Sequence, residues 1–548
     1  MAAFASAAVL ALACTAEVKG PHQGSGGNGS GGSNGGGSAG SSAGTVGVEG
    51  DPGWVPIHRL NNAEYNNAVA DLLGTSLRPA DFFQAQTATG FNTNHGALAN
   101  LDAAGARAYF DAAKDVVEDV FANPALKAQV VTCQPPDAAD TACASGIIES
   151  FGRRAWRRPL AAGESQALLA RYGEARTALE KDHDGAIAHV LRIMLTAAPF
   201  TYFIERDPDV QAAAQTKRPL QGYELAQRLS FALWGSLPDP ALLDLAESGA
   251  LTDAATLSAQ VDRLLDDPSK GPRFVELFMQ QWLNIKRLHG HSVDVARYPA
   301  WGEPMRAAML ADANAFLDSF VYAQRPFSEF LTAPLDTSNP GLSQVFAADP
   351  PGARQGFLSL PAYLTAESMP TRTAPTFRGK IVLDAVLCTT IALPNVPIPD
   401  LEDAGGEMID PANIRAKLEK HRESPDCAGC HRVLDPIGLG LENYDAIGRF
   451  RTQYENGDAI DASGDLDGTA FNGLAELVPL VQQNPLLATC PGEKLLSFAL
   501  RRTPRVDEDA PYIQEIASKW QSGTIRSLIK ELVLSEAFRS RKLAASAL

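Results

Sequence analysis

Apolar residues recur along most of this chain at helical spacing. Leu60, Tyr65, Val69, Leu72 and Leu73 share one face of a helix. Asn61-Asn62-Ala63-Glu64 opens it as a variant capping box, with Glu64 three residues after the cap, and Gly74 closes it. The spacing predicts a second helix over 104–121 and two more within 164–195. Leu225, Leu229, Leu233 and Trp234 form a stripe that Gly235 ends. Val261, Leu264 and Leu265 keep the same period, as do Phe274, Leu277, Phe278 and Trp282. Alternating strand patterns are scarce. Residues 449–468 are the exception, where Gly457 and Gly464 mark the turns of a hairpin. The expectation is a mostly α protein of several small helical modules with a minor β-hairpin element.

The N-terminal stretch departs from this pattern. Met1 to Ala13 is almost wholly small or apolar, is too short to cross a membrane as a helix, and runs into Cys14. Leu10-Ala11-Leu12-Ala13-Cys14 resembles a bacterial lipoprotein signal, which implies export and lipidation of Cys14. From Gly24 to about Thr45 the chain is nearly all Gly and Ser, a flexible tether that holds a globular part off a membrane.

Composition narrows the partners. The chain has 548 residues, 45% hydrophobic and 20% charged, which excludes a mainly disordered protein. Lys and Arg number 47 against 64 Asp and Glu, a net charge of −17. Such an acidic chain is a poor general binder of nucleic acid, so no nucleic-acid partner is expected.

The chemistry concentrates at Cys427-Ala428-Gly429-Cys430-His431. Cys-x-x-Cys-His is the attachment signature of c-type haem. Two thiols at this separation form thioethers with the porphyrin, and the next residue supplies the proximal imidazole. The competing readings are a redox dithiol, a zinc half-site and a plain disulfide. A thioredoxin-like dithiol would need a βαβ setting, and zinc would need a second ligand pair. One covalent haem c is therefore the expected cofactor, with Cys427, Cys430 and proximal His431 holding it. Cys133 and Cys143 flank a short polar loop and are expected to pair in an oxidising compartment. Cys388 and Cys490 form the remaining pair; the competing reading is two buried thiols.

No Met or His follows His431, so a distal iron ligand must come from upstream or be absent. His421 is the first candidate, on a helix predicted over 414–423 and on the same face as Ile414 and Leu418. Met408 is the second, in a Gly-containing loop, and Met369 the third. Pro436 and Gly438 read as a turn whose backbone carbonyl accepts the imidazole Nδ1–H. Tyr444 and Phe450 are candidates to wall the ring. Arg449, Arg451 and Arg378 are candidates to pair with propionates.

The chain also resembles a family of multi-domain haem proteins of planctomycetes and myxobacteria, built of domains of unknown function 1587, 1595, 1592, 1588 and 1585. The resemblance spans roughly residues 55–541. It rests on His58-Arg59-Leu60-Asn61-Asn62-Ala63-Glu64-Tyr65, Arg154-Ala155-Trp156-Arg157-Arg158-Pro159-Leu160 and Leu229-Ser230-Phe231-Ala232-Leu233-Trp234. Further along it rests on Thr373-Ala374-Pro375, on the haem segment from Cys427 through Asp435-Pro436-Ile437-Gly438 and Leu441-Glu442-Asn443-Tyr444-Asp445 to Arg449, and on residues 494–502. The resemblance implies a fold and a haem more than an activity.

These readings divide the chain into a leader at 1–14, a linker at 15–50, and helical modules at 51–125, 140–205 and 215–345. A cytochrome c-like haem module at 353–455 and a C-terminal helical module at 460–541 follow. The expected function is electron transfer by an exported, lipid-anchored haem protein of a bacterial cell envelope or periplasm, with a periplasmic or membrane redox partner. The alternative is a haem-dependent oxidoreductase (an oxidase, peroxidase or dehydrogenase) with an open or weakly ligated iron. A weaker alternative is a cell-envelope scaffold. No nucleophile elbow, phosphate loop or dinucleotide fingerprint occurs.

Overall fold

The computed structural model describes residues 50–542, apart from positions 54 and 56 and the segments 85–89, 95–100, 138–139, 206–216, 390 and 392–413. The leader with Cys14, the Gly/Ser tether and Met408 lie outside the described residues. Helices dominate, as their apolar periodicity predicts, and the described strands form three antiparallel pairs. No helix among the described residues is long and apolar enough to cross a membrane. The chain divides into two compact units, each assembled from separated stretches.

The larger unit takes residues 50–289, 310–333 and 488–548. Its first helix, Asn62–Leu73, carries the expected capping box. Asn61 Oδ1 accepts from the Glu64 N–H at 2.9 Å, and Glu64 Oε2 accepts from the Asn61 N–H at 3.0 Å. Gly74 ends it in the left-handed region, as Gly235 ends the helix Gly222–Trp234. The pair expected within 164–195 is Ala162–Thr177 and His183–Thr196. Two short strand pairs fasten distant segments: His58–Arg59 with Tyr202–Phe203, and Lys217–Pro219 with Ser540–Lys542. Phe274, Leu277, Phe278 and Trp282 are all buried, through a stretch at Val275–Met279 wound as a π-helix.

Charged groups are held here in hydrogen-bonded networks, several of them buried. Arg501 makes two hydrogen bonds to the Glu64 carboxylate, donates from Nε to His58 Nε2, and lies over the Phe203 ring at 4.6 Å. Arg228 pairs with Glu205 and also donates to the carbonyls of Ala537, Phe538 and Ser540. Of the basic run near residue 155, Arg153 bonds Asp244 and Glu247 at 2.7 and 2.8 Å, while Arg157 is buried against Gln227 and three backbone carbonyls.

The smaller unit takes residues 290–309 and 334–487 among those described. It holds the helices Pro361–Ala366, Pro375–Ile381, Ile414–His421, Pro425–Leu439 and Leu474–Gln483. Its hairpin pairs Ser463–Leu466 with Thr469–Asn472. The turn falls at Asp467-Gly468, both at positive φ, and not at Gly464 as the sequence pattern suggests. Gly464 is a strand residue opposite Phe471, and a Cβ there would run into the Pro436 carbonyl and the Phe471 ring. Glycine is there for a close approach, not for a bend.

Cys133 and Cys143 form a disulfide with Cα atoms 5.9 Å apart. Cys388 and Cys490 are also disulfide-bonded. Cys427 and Cys430 are outside any disulfide.

Candidate functional site

The helix Pro425–Leu439 carries the motif. Pro425 occupies its first turn, where a missing N–H costs nothing. Cys427, Cys430 and His431 are spaced i, i+3 and i+4, so they share one face, which continues through Leu434, Asp435 and Gly438. The C-terminal half of that face is buried against the helix Pro375–Ile381. A Cβ on Gly438 would strike the Pro375 carbonyl, and one on Gly379 the Leu434 carbonyl. Both glycines let the two backbones touch. The N-terminal half emerges from this contact, leaving Cys427, Cys430 and His431 half-buried.

This crossing orients the histidine. His431 Nδ1 lies 3.0 and 3.1 Å from the two oxygens of Asp435, one helical turn on. Asp435 is fully buried and accepts a second hydrogen bond from the Thr376 hydroxyl at 2.7 Å. The imidazole therefore donates from Nδ1, and Nε2 makes no hydrogen bond among the described residues. The sequence reading placed a backbone carbonyl of a Pro436 turn in this role. The structure replaces it with a carboxylate: Pro436 sits inside the helix and forms no turn. Asp435 and Thr376 were missed as site residues. The signal for Asp435 was present, a carboxylate at i+4 from the histidine on one helix. Thr376 is 59 residues from Asp435, and no local pattern reveals it.

His421 ends the helix Ile414–His421, whose Ile414 and Leu418 pack on Leu439. Its ring lies edge-on to that of His431, with centroids 4.6 Å apart. Burial, then the neighbouring His431, lowers the His421 pKa, with Asp435 opposing. Burial and the adjacent Cys427 raise the thiol pKa of Cys430. Two large apolar side chains on the crossing helices, Phe377 and Val433, are exposed at 38% and 44%.

The other named residues belong to a lock below this face. Arg378, fully buried, donates to the carbonyls of Leu364, Leu441, Tyr444 and Asp445 and to the Ser368 hydroxyl. Its Nη groups peg the chain after the motif helix, and the whole side chain is buried away from the surface. Tyr444 is buried, with its hydroxyl on the Ala353 carbonyl at 2.6 Å and Arg354 over its ring. Arg449 bonds the Asp445 carboxylate and lies over the Tyr298 ring, and Arg451 bonds the buried Glu442. The side-chain hydrogen bonds and cation–ring contacts of Tyr444 and Arg449 run to Ala353, Arg354, Asp445 and Tyr298 and, among the described residues, not to the motif residues. Met369 donates its backbone N–H to the Arg372 carbonyl and is partly exposed. Among the described residues no group of three or more His, Cys, Asp or Glu is placed to hold a metal ion.

The donor set fits haem c. It offers two thiols at the required spacing, an imidazole oriented by a carboxylate, and exposed apolar surface on the same helices.

Five family models match the chain, each described as a protein of unknown function. In chain order they are DUF1587 at residues 58–122, DUF1595 at 143–205, DUF1592 at 220–347, DUF1588 at 354–454 and DUF1585 at 467–538. The chain belongs to the multi-domain proteins built of these five domains. The motif helix, Arg378, Tyr444 and Arg449 all fall in the DUF1588 match. No curated protein and no solved structure matches the chain.

Proposed function

We propose that this protein is an exported, lipid-anchored c-type haem protein that passes single electrons to or from a redox partner in the bacterial cell envelope. The observation that supports it is the motif face: Cys427, Cys430 and His431 side by side, with the imidazole held by buried Asp435. Cys427 and Cys430 would hold the haem through thioethers, and His431 would ligate it through Nε2. Haem supplies a one-electron iron couple there. The chain's own part is orientation. Asp435 fixes the tautomer of His431 and makes its ring a stronger donor, and Thr376 holds the carboxylate in place. The lipoprotein-like leader with Cys14 and the Gly/Ser tether support a membrane-anchored location.

The test is the full-length chain expressed with c-haem maturation. A denaturing gel should stain for haem in the wild type and not in a Cys427→Ala, Cys430→Ala double variant. Haem that stays covalently attached in the double variant refutes the reading. In the native host, Cys14→Ser should release the protein from membranes.

A second reading, a haem-dependent oxidoreductase with an open or weakly ligated iron, is favoured by two observations. The His421 ring packs edge-on against the ring of His431 itself, and residues 432–548 hold no Met or His. Carbon monoxide binding to the reduced protein separates the two. Ready binding, with spectra unchanged by His421→Ala or Met408→Ala, supports the open site.

A further inference from the structure

The Cys133–Cys143 disulfide belongs to the larger unit and has no part in the haem proposal. It is not placed as a purely mechanical clasp. Cys133 is exposed and Cys143 half-buried. Cys143 is the second residue of the helix Ala142–Ala155, at the end where unsatisfied N–H groups favour a thiolate. His183, only 5% exposed, brings Nε2 to 3.7 Å from Cys143 Sγ. Its Nδ1 lies 2.8 Å from the Tyr172 hydroxyl, and the ring also hydrogen-bonds the Cys133 backbone. With Tyr172 donating to Nδ1, the one remaining N–H, at Nε2, faces both the Cys133 backbone carbonyl and Cys143 Sγ. Asp182, Asp184 and Arg176 are the charged groups facing the ring, and Lys127 neutralises Asp184 at 2.8 Å.

We propose that Cys133–Cys143 is a thiol–disulfide exchange site, opened by a dithiol reductant at Cys133, with Cys143 as leaving thiolate and His183 as its hydrogen-bond donor. One thiolate of the reductant bonds to the exposed Cys133 sulfur as the Cys133–Cys143 bond breaks. The electron pair departs on Cys143 Sγ, where His183 Nε2–H and the helix N-terminus stabilise it. The second thiolate of the reductant then displaces Cys133. Reductant dithiol and protein disulfide thus become reductant disulfide and two protein thiols, with the two protons passing through solvent.

The probe is dithiothreitol acting on the native full-length protein, quenched with a maleimide, with each cysteine peptide quantified by mass spectrometry. Cys133 and Cys143 should become labelled while Cys388 and Cys490 stay oxidised. His183→Gln should slow that reduction by about tenfold at pH 7, and Tyr172→Phe by about threefold. Circular dichroism checks that each variant is folded. If His183→Gln is not folded, Tyr172→Phe decides. The proposal is overturned if Cys133–Cys143 opens no faster than the disulfides of Cys388 and Cys490, or if the folded variants are reduced at the wild-type rate.

Discussion

Two histidines, one in each unit, show how the same side chain becomes a strut or keeps a lone pair available. His58 is 1% exposed, stacks on Phe203 at 5.2 Å, and accepts a hydrogen bond at Nε2 from the cation Arg501. That lone pair is spent, and the Arg501–Glu64 pair behind it ties residues 437 positions apart. The His431 side chain is 17% exposed and donates from Nδ1 to an anion. Its Nε2 lone pair is uncommitted among the described residues. The sign of the neighbour decides the difference. A cation beside an imidazole consumes its lone pair, whereas a carboxylate consumes its N–H and leaves the lone pair for a metal.

The sharpest test is to remove the charged neighbour in each unit. Arg501→Met leaves Glu64 buried without its cation, and the expected loss is about 3–5 kcal/mol of stability. Urea unfolding monitored by tryptophan fluorescence measures it. Adding Glu64→Gln should return part of that loss, because the stranded charge is then gone. A small cost for Arg501→Met alone would show that the His58 network is not a strut.

The next largest effect separates the packed half of the motif face from its open half. Gly438→Ala drives a methyl into the Pro375 carbonyl, and the two helices must part. The expected cost is about 3 kcal/mol, as for other overpacked contacts. Gly429 has nothing within reach of an added Cβ. Gly429→Ala should be neutral or stabilising by up to about 1 kcal/mol, the helix-propensity difference. Thermal melts of both variants read the contrast. Equal effects would mean that the motif helix is not pinned at its C-terminal half.

These positions also mark what was legible in the sequence. The capping box at Asn61 and Glu64, the helix ends at Gly74 and Gly235 and the mostly helical fold were readable, because each depends on residues within a turn or two. Gly464 and Arg378 were misread for one reason. Each was given a local meaning (a turn, a propionate partner) that distant partners override: Gly464 makes room for the Pro436 carbonyl, and Arg378 gathers carbonyls from 14 residues before it to 67 after. The interleaving of the two units was equally hidden, since apolar periodicity tells which face is buried but not against what. The grouping of Cys427, Cys430 and His431 was legible from their spacing, and the shell around His431 only in half: Asp435 is local, Thr376 is not.

Asp435→Asn probes the ligand side of the comparison more gently. The amide keeps the shape and can still accept from His431 Nδ1, so stability should fall by only about 1 kcal/mol. The loss of negative charge makes the imidazole a weaker donor, and on the proposed function the reduction potential of the haem it would ligate should rise. Spectroelectrochemistry measures the shift. An unchanged potential would reduce Asp435 to a packing residue.

The last test concerns a charge between these extremes, one buried enough to matter and exposed enough to titrate. Asp71 lies in the larger unit with its side chain 10% exposed, held by both Arg273 nitrogens at 2.8 Å and by Lys270 at 3.4 Å. Burial works to raise its pKa, but the Arg273 hydrogen bonds and the Lys270 charge outweigh burial, and the net shift is downward from 3.8. A carboxyl whose pKa is lower folded than unfolded adds stability above the unfolded value, and that stability is lost as the pH falls through the folded one. Asp71→Asn should therefore cost about 1–2 kcal/mol at pH 7, and the gap from wild type should close as the pH drops below about 4. Urea titrations of wild type and Asp71→Asn from pH 7 to pH 3 make the comparison. If the Asp71→Asn gap stays constant over that range, its ion pair contributes no titratable stability.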